Sequence, residues 1–362
     1  MEYKKIIELT TVVTGGTPST EKREYWDNGS IPWLQSGCCQ NCEVNSAGKY
    51  ITQEGYDNSS TRMMPADTVM IALTGATAGK VGYLNFAACG NQSITGILPC
   101  GALNQRYLFY YLISQRHKIL ADCVGGAQAH ISQGYVKNIK VPVLSLVEQE
   151  QVVEVLTQLN NIISMRRKEI GLLDTLVKSR FAEMFGDPIQ NPYNWSIKSL
   201  LEMGYCKNGM NFHTGDSGIE LYCLGVGDFK DYSIIDGTDQ LSKISLNEMP
   251  PEESMLQNGD IVFVRSNGNK DLVGRCVLVY PHDVQTTYSG FCIRYRLTSR
   301  EVNKNYLLRV LKTDSMRKQM TGRGANIQNL NQKTLATLNI PIPPIELQNQ
   351  FSDFVVSTDK SK

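Results

Sequence analysis

The chain has 362 residues, 41% of them hydrophobic and 8% aromatic, so it can bury real cores and is not a disordered polymer. Its formal net charge is only +1, which argues against a uniformly basic nucleic-acid binder. No stretch reaches the roughly 18 apolar residues a bilayer span needs, and the opening MEYKKIIELT has no apolar run after its charges. A cytoplasmic protein with no membrane contact is expected.

In chain order, TGGTPST at residues 14–20 places two glycines beside hydroxyls, a composition suited to close backbone approach. Cys39-x-x-Cys42, with Cys38 beside it, has the spacing of half a zinc site, but no second cysteine pair or close His pair follows to complete four ligands. Reduced thiols are expected, with no metal and no other cofactor. Residues 63–84, MMPADTVMIALTGATAGKVGYL, read as strand, Gly-rich turn and strand. The GATAGKV stretch departs from a phosphate loop, because only three residues separate its glycines and Val81, not Ser or Thr, follows Lys80. A helix is expected over residues 104–122, followed by the polar loop GGAQAHISQG at 125–134.

Residues 146–185 contain no Pro and one Gly. Val152, Leu156, Leu159, Ile163, Arg166, Ile170, Leu173, Val177, Arg180 and Met184 follow a 4,3,4,3 spacing, the pattern of a coiled-coil seam. A helix over 152–184 would extend roughly 50 Å. Gly186-Asp187-Pro188 is the expected stop. NPYNW at 191–195 reads as a linker. Residues 210–261 then carry a net charge of −8, and residues 262–340 a net charge of +9. That asymmetry suggests a segment facing an anion beside one that does not.

The chain also repeats itself. VPVLSLVEQEQV at 141–152 returns as IPIPPIELQNQF at 340–351, and the offset of 199 sets Pro142 on Pro341, Gln149 on Gln348 and Gln151 on Gln350. Upstream, residues 63–84 match 255–278 at an offset of 192 to 193, and the helix expected over 104–122 matches one expected over 303–320. Two copies are too large and too few for a solenoid. The expected fold is α+β: two similar globular domains at 1–145 and 187–341, joined by a coiled-coil-forming helix at 146–186. Residues 342–362 are expected to begin a second helix.

Taken together, GGTPST…YW…GSIPWL (15–34), the paired VPVLSLVEQEQVVEVL and IPIPPIELQNQFSDFV, and KSRFAEMFGDPIQNPYNW (178–195) resemble the specificity (S) subunits of type I restriction–modification systems. The resemblance covers nearly the whole chain. It implies a subunit without catalytic residues whose two domains each read one half of a bipartite, asymmetric site on double-stranded DNA, while the helix sets the gap. It implies as partners two methyltransferase (M) subunits and restriction, or motor, (R) subunits. In that family a second long helix pairs antiparallel with the first. Its shortness here points to a truncation, or to self-association through the unpaired helix.

Candidate DNA contacts are Thr17, Gln35, Asn91, Gln92, Gln128, His130, Ser132 and Lys137 in the first copy. In the second they are Arg265, Asn267, Asn269, Lys270, Arg275, Arg323, Asn326, Gln328 and Asn329. Asn and Gln pair with adenine and Arg with guanine in the major groove, while Lys and Arg, including Lys140 and those of residues 262–340, would hold phosphates. Other readings stand beside this one. A related restriction or phage-defence methyltransferase could use such a module. An enzyme would have to work through Gly75–Lys80 or Cys39 and Cys42, and a scaffold would use only the helix.

Overall fold

The computed structural model describes residues 2–122, 130–212, 215–229, 233–321 and 329–361. The chain folds as two units, Met1–Met165 and Arg166–Lys362, and the division falls within the long helix Leu146–Phe185.

Within the first unit a five-stranded sheet has the order Val12–Thr14, Ile94–Ile97, Val69–Ala72, Val81–Leu84, Cys42–Val44. All neighbours are antiparallel except the last pair. The second unit repeats that order and that single parallel pair with Gly204–Asn208, Cys292–Leu297, Asp260–Val264, Cys276–Tyr280 and Ile234–Asp236. A smaller sheet lies beside each: four strands in the first unit and three in the second. A two-stranded ribbon completes each unit, Glu2–Lys5 with Lys140–Val143, and Ser196–Ser199 with Asn339–Ile342.

The central strands Val69–Ala72 and Asp260–Val264 are buried at every position, and all but Asp260 are apolar, because both faces are covered. Val69 and Ile71 join the core under the helices, whereas Met70 and Ala72 join the core with residues of the smaller sheet. Ile261 and Phe263 separate from Val262 and Val264 in the same way. Period-two alternation thus feeds two cores from one strand.

The helices expected over 104–122 and 303–320 are each two. Gln105–Ser114 is followed by Arg116–Ala121, and Lys304–Leu311 by Asp314–Thr321. In the second unit the Thr313 hydroxyl accepts the Met316 N–H at 3.4 Å, restarting the chain as a new helix.

The repeated phrase has a structural cause. Gln149 is fully buried; its side-chain oxygen accepts the Asn104 N–H at 2.7 Å and its amide donates to the Leu144 carbonyl at 2.9 Å. Gln348 repeats this with Asn303 N–H at 2.8 Å and the Pro343 carbonyl at 2.8 Å. Tyr107 donates to the Pro142 carbonyl, and Tyr306 to that of Pro341. Each element is a clamp fixing a helix start to the sheet-bearing body, and a buried amide so satisfied is costly to replace.

The long helix starts on a capping box in which Ser145 Oγ accepts the Glu148 N–H and the Glu148 carboxylate accepts the Ser145 N–H. It ends at Gly186, whose φ of +68° is the left-handed value the expected stop requires. Val152 and Val153 pack on the first unit's core. At the other end Val177, Phe181 and Phe185 are buried in the second unit. Phe181 and Phe185 lie off the heptad positions and pack on the second unit's core beside Val177 and Met184. Phe351 of the C-terminal helix Ile345–Asp359 meets Phe181 and Phe185 at 5.5 and 5.6 Å between ring centroids. Val355 and Asp359 share a hollow with Asp174 and Val177, so these two segments run antiparallel. Between the packed ends, Leu159, Ile163 and Ile170 of the expected seam are exposed, as are their neighbours Ile162 and Met165. Leu156, Leu173 and Met184 are half-buried. Among the described residues, no helix is long and apolar enough to cross a membrane.

Candidate nucleic-acid interface

In the first unit, the strand Val69–Ala72 runs out into Leu73 and Thr74. Leu73 N–H donates to Ser93 at 2.8 Å and the Leu73 carbonyl accepts from Ile131 at 2.8 Å. Thr74 pairs with His130, and its hydroxyl donates to Ser93 Oγ at 3.0 Å. Asn91 N–H donates to the carbonyl of Leu34, beside Gln35, and the Asn91 side chain accepts from Ser93 N–H. Thr17 Oγ1 donates to Gln92 Oε1 at 2.6 Å. These bonds gather Thr17, Gln35, Asn91, Gln92 and His130 along one edge.

Glycine makes the gathering possible at Gly15, where a Cβ would lie 2.0 Å from the Gly90 carbonyl oxygen. Gly209 holds the matching place in the second unit, 2.0 Å from the Ser289 carbonyl oxygen. Any side chain there would push the two backbones apart.

The second unit rebuilds the edge with other side chains. Arg265 N–H donates to Phe291 at 2.8 Å, and the Arg265 carbonyl accepts from Leu330 at 2.7 Å. Ser266 pairs with Asn329 as Thr74 pairs with His130. Ser266, Asn267, Gly268, Phe291, Asn329 and Val226 enclose a concavity of about 490 Å³. Phe291 is 61% exposed there. An exposed ring amid polar loops offers an apolar contact for a thymine methyl or a wedge against a base step. Phe291, Ser266, Thr74 and Ser93 were missed from sequence. The one available signal is position, since Thr74 and Ser266 each lie two residues beyond the end of the matched central strands.

Several sequence candidates have local structural work. Ser132 caps the helix Gln133–Asn138 by accepting the Tyr135 N–H at 3.0 Å. The Asn267 side-chain oxygen accepts from Asn269 N–H, and that of Asn269 accepts from Asp271 N–H, capping the turn that holds Lys270. Lys137 is half-buried in the last turn of its helix, and Lys140 is exposed in the ribbon. Arg275 lines a different, basic hollow. Gln128, Arg323, Asn326 and Gln328 lie outside the described residues.

The basic block of residues 262–340 is also partly internal. Arg294 is fully buried, and Arg296 makes a two-pronged ion pair with buried Asp260 at 2.8 and 2.7 Å. The Arg296 guanidinium is held further toward its charged form by that carboxylate. These two arginines fold against the acidic block instead of facing a phosphate. The Gly75–Lys80 stretch forms a turn, with Lys80 Nζ on Gln40 Oε1 at 2.6 Å. Among the described residues, no three His, Cys, Asp or Glu side chains come together as a metal site. The Cys38 thiol is lowered by its hydrogen bond with Cys39, whose own thiol that bond and burial raise.

Two heads of one topology, each ending in a polar edge of different residues, call for comparison with known proteins. The family model for the type I restriction modification DNA specificity domain matches residues 1–172 and 230–361. The chain belongs to this specificity family. Relatives include the specificity subunit of the EcoR124I/EcoR124II enzyme of Escherichia coli, 31% identical over 45% of this chain and 41% of that protein. The MjaIX specificity subunit of Methanocaldococcus jannaschii is 26% identical over 58% of this chain and 53% of its own length. The chain therefore spans about half the length of these two relatives. The StySPI specificity subunit of Salmonella potsdam is 24% identical over 94% of this chain and 78% of that one. The crystal structure of a type I S subunit from M. genitalium shares the fold, with a TM-score of 0.54 at 15% identity, covering 99% of this chain and 89% of that one.

Proposed function

We propose that this member of the specificity family is a non-catalytic DNA-recognition subunit of a type I restriction–modification enzyme. The domains are those expected at 1–145 and 187–341, each reading one half of a bipartite, asymmetric site, with the helix at 146–186 setting the gap. Two methyltransferase subunits and the restriction subunits supply the chemistry, in the cytoplasm.

One observation carries this reading: the two units share a scaffold down to the backbone bonds of the edge, yet present Thr74 with His130 in one and Ser266 with Asn329 in the other. Conserved supports with exchanged side chains are what two readers of different sequences require. Lys137, Lys140 and exposed cations of the second unit add the sequence-independent phosphate term.

A second reading concerns the helix. Its exposed stripe of Leu159, Ile162, Ile163 and Ile170 favours a helical partner, which the methyltransferase subunits or another copy of this chain supplies. Sedimentation of the chain alone and with its methyltransferase separates the two.

The test of function is base-modification sequencing of cellular DNA with and without this gene, alongside its methyltransferase. A two-part asymmetric adenine-methylated motif that vanishes with the gene is expected. No change in methylation would overturn the proposal.

A further inference from the structure

A basic hollow in the second unit serves neither the core nor the polar edge. It has a volume of about 280 Å³, and its wall carries Lys178, Arg275, Arg309, Lys312 and Arg317 against one carboxylate, Asp314. An adjoining hollow shares Arg309 and Lys312 and brings in Asp174 and Asp359. Cations therefore outnumber carboxylates even when both hollows are taken together.

The cations come from separate parts of the unit: the long helix, the start of a sheet strand and two short helices. Lys312 Nζ donates to Ser233 Oγ at 2.8 Å, and Arg317 donates to the Asp271 carbonyl at 2.9 Å. Burial is the first cause that lowers both Arg309 and Lys312 below their ordinary values, and neighbouring carboxylates, Asp174 for both and Asp314 for Arg309, partly offset it. A bound anion would act in the same sense as those carboxylates.

The fold does not need the cluster. At the offset of 199, Tyr110 and Ile113 of the first unit occupy the places of Arg309 and Lys312. The same architecture stands there on an aromatic and an aliphatic residue.

We infer that this hollow is a binding site for a phosphate group. Several guanidinium and ammonium donors converging in a partly desolvated concavity suit a tetrahedral oxyanion with many acceptor sites. The ligand is a DNA backbone phosphate or a free phosphate or nucleotide; the chemistry is common to all. The inference does not rest on the DNA-recognition reading.

The first arm uses no DNA. The full chain is titrated with inorganic phosphate at ionic strength held constant with chloride, and the phosphorus NMR line width is followed. Saturable broadening is expected, weakened roughly ten-fold in Lys312→Met and in Lys178→Gln. Lys178 is exposed, so its variant keeps the fold. Absence of saturation in the parent, or equal affinity in parent and a folded Lys178→Gln, overturns the site and leaves Asp174, Asp314 and Asp359 as the cluster's internal counter-ions. The second arm measures the salt dependence of duplex DNA affinity. A slope reduced by about one in Lys178→Gln assigns the bound group to the DNA backbone. An unchanged slope, with free-phosphate binding lost, assigns it to a small phosphate ligand.

Discussion

The glutamine clamps of the two units match, whereas their polar edges differ in side chains. Gln149 and Gln348 take the equivalent N–H at 2.7 and 2.8 Å and reach equivalent carbonyls, so the two clamps are nearly superposable in chemistry. At the edges the backbone bonds also match, but the pair is Thr74 with His130 in the first unit and Ser266 with Asn329 in the second. The lesson is that the clamp fixing each helix start is kept while the side chains presented at the edge differ. A second contrast lies along the long helix, whose two ends are packed on cores while its middle is exposed.

The largest effect expected from breaking the frame is at the aromatic cluster. Phe181→Ala should cost about 3–5 kcal/mol by removing a buried ring from contact with Phe185, Tyr306 and Phe351. Denaturant unfolding of the full chain measures it, and a loss under 1 kcal/mol would mean the helix ends pack less firmly than described. Next come the clamps. Gln149→Ala and Gln348→Ala should each cost about 1–3 kcal/mol, because each leaves a buried N–H and carbonyls unpaired. Losses of similar size in the two variants sharpen the comparison; a large one in only one unit breaks it. Asn329→Ala and Gln92→Ala should leave stability within about 0.5 kcal/mol. Each should weaken discrimination at its own half-site by about 1–3 kcal/mol, read by affinity for duplexes altered in one half.

The smallest effect is electrostatic. Arg106 first, and then Asn85, hold the Glu43 carboxyl below its ordinary value. A depressed carboxylate contributes stability above its unfolded value and loses that contribution as pH falls through the folded one. Both side chains are largely exposed, so Arg106→Gln should cost under about 1 kcal/mol at neutral pH. The difference from the parent should vanish in acid, and a difference that persists there would place its origin in the packing of Arg106 on Tyr83.

Much of the frame was legible in the sequence for a physical reason. Pro142, Gln149, Pro341 and Gln348 are residues whose backbone or amide chemistry admits few substitutes, so the offset of 199 survives. Gly186 likewise announced the end of the long helix. The edge was only partly legible because Asn, Gln and Ser serve caps as readily as ligands. Asn104, Asn269, Asn303, Asn331 and Ser132 all cap helices or turns. Charge counting could not see that Arg294 and Arg296 fold onto Asp260. Heptad spacing does not pick out Phe181 and Phe185, which lie off its positions and help anchor one end of the helix. Nor does composition distinguish Phe291, exposed at the edge, from the phenylalanines of the core.

The central claim is that each unit reads its own half of the target. The most direct measurement is base-modification sequencing of cells carrying the methyltransferase with either the parent chain or a variant in which Ser266 and Asn329 are both replaced by alanine. The account predicts a two-part asymmetric motif in which the variant relaxes or loses one half and retains the other. An interrupted palindrome, or a variant that alters both halves together, would contradict it.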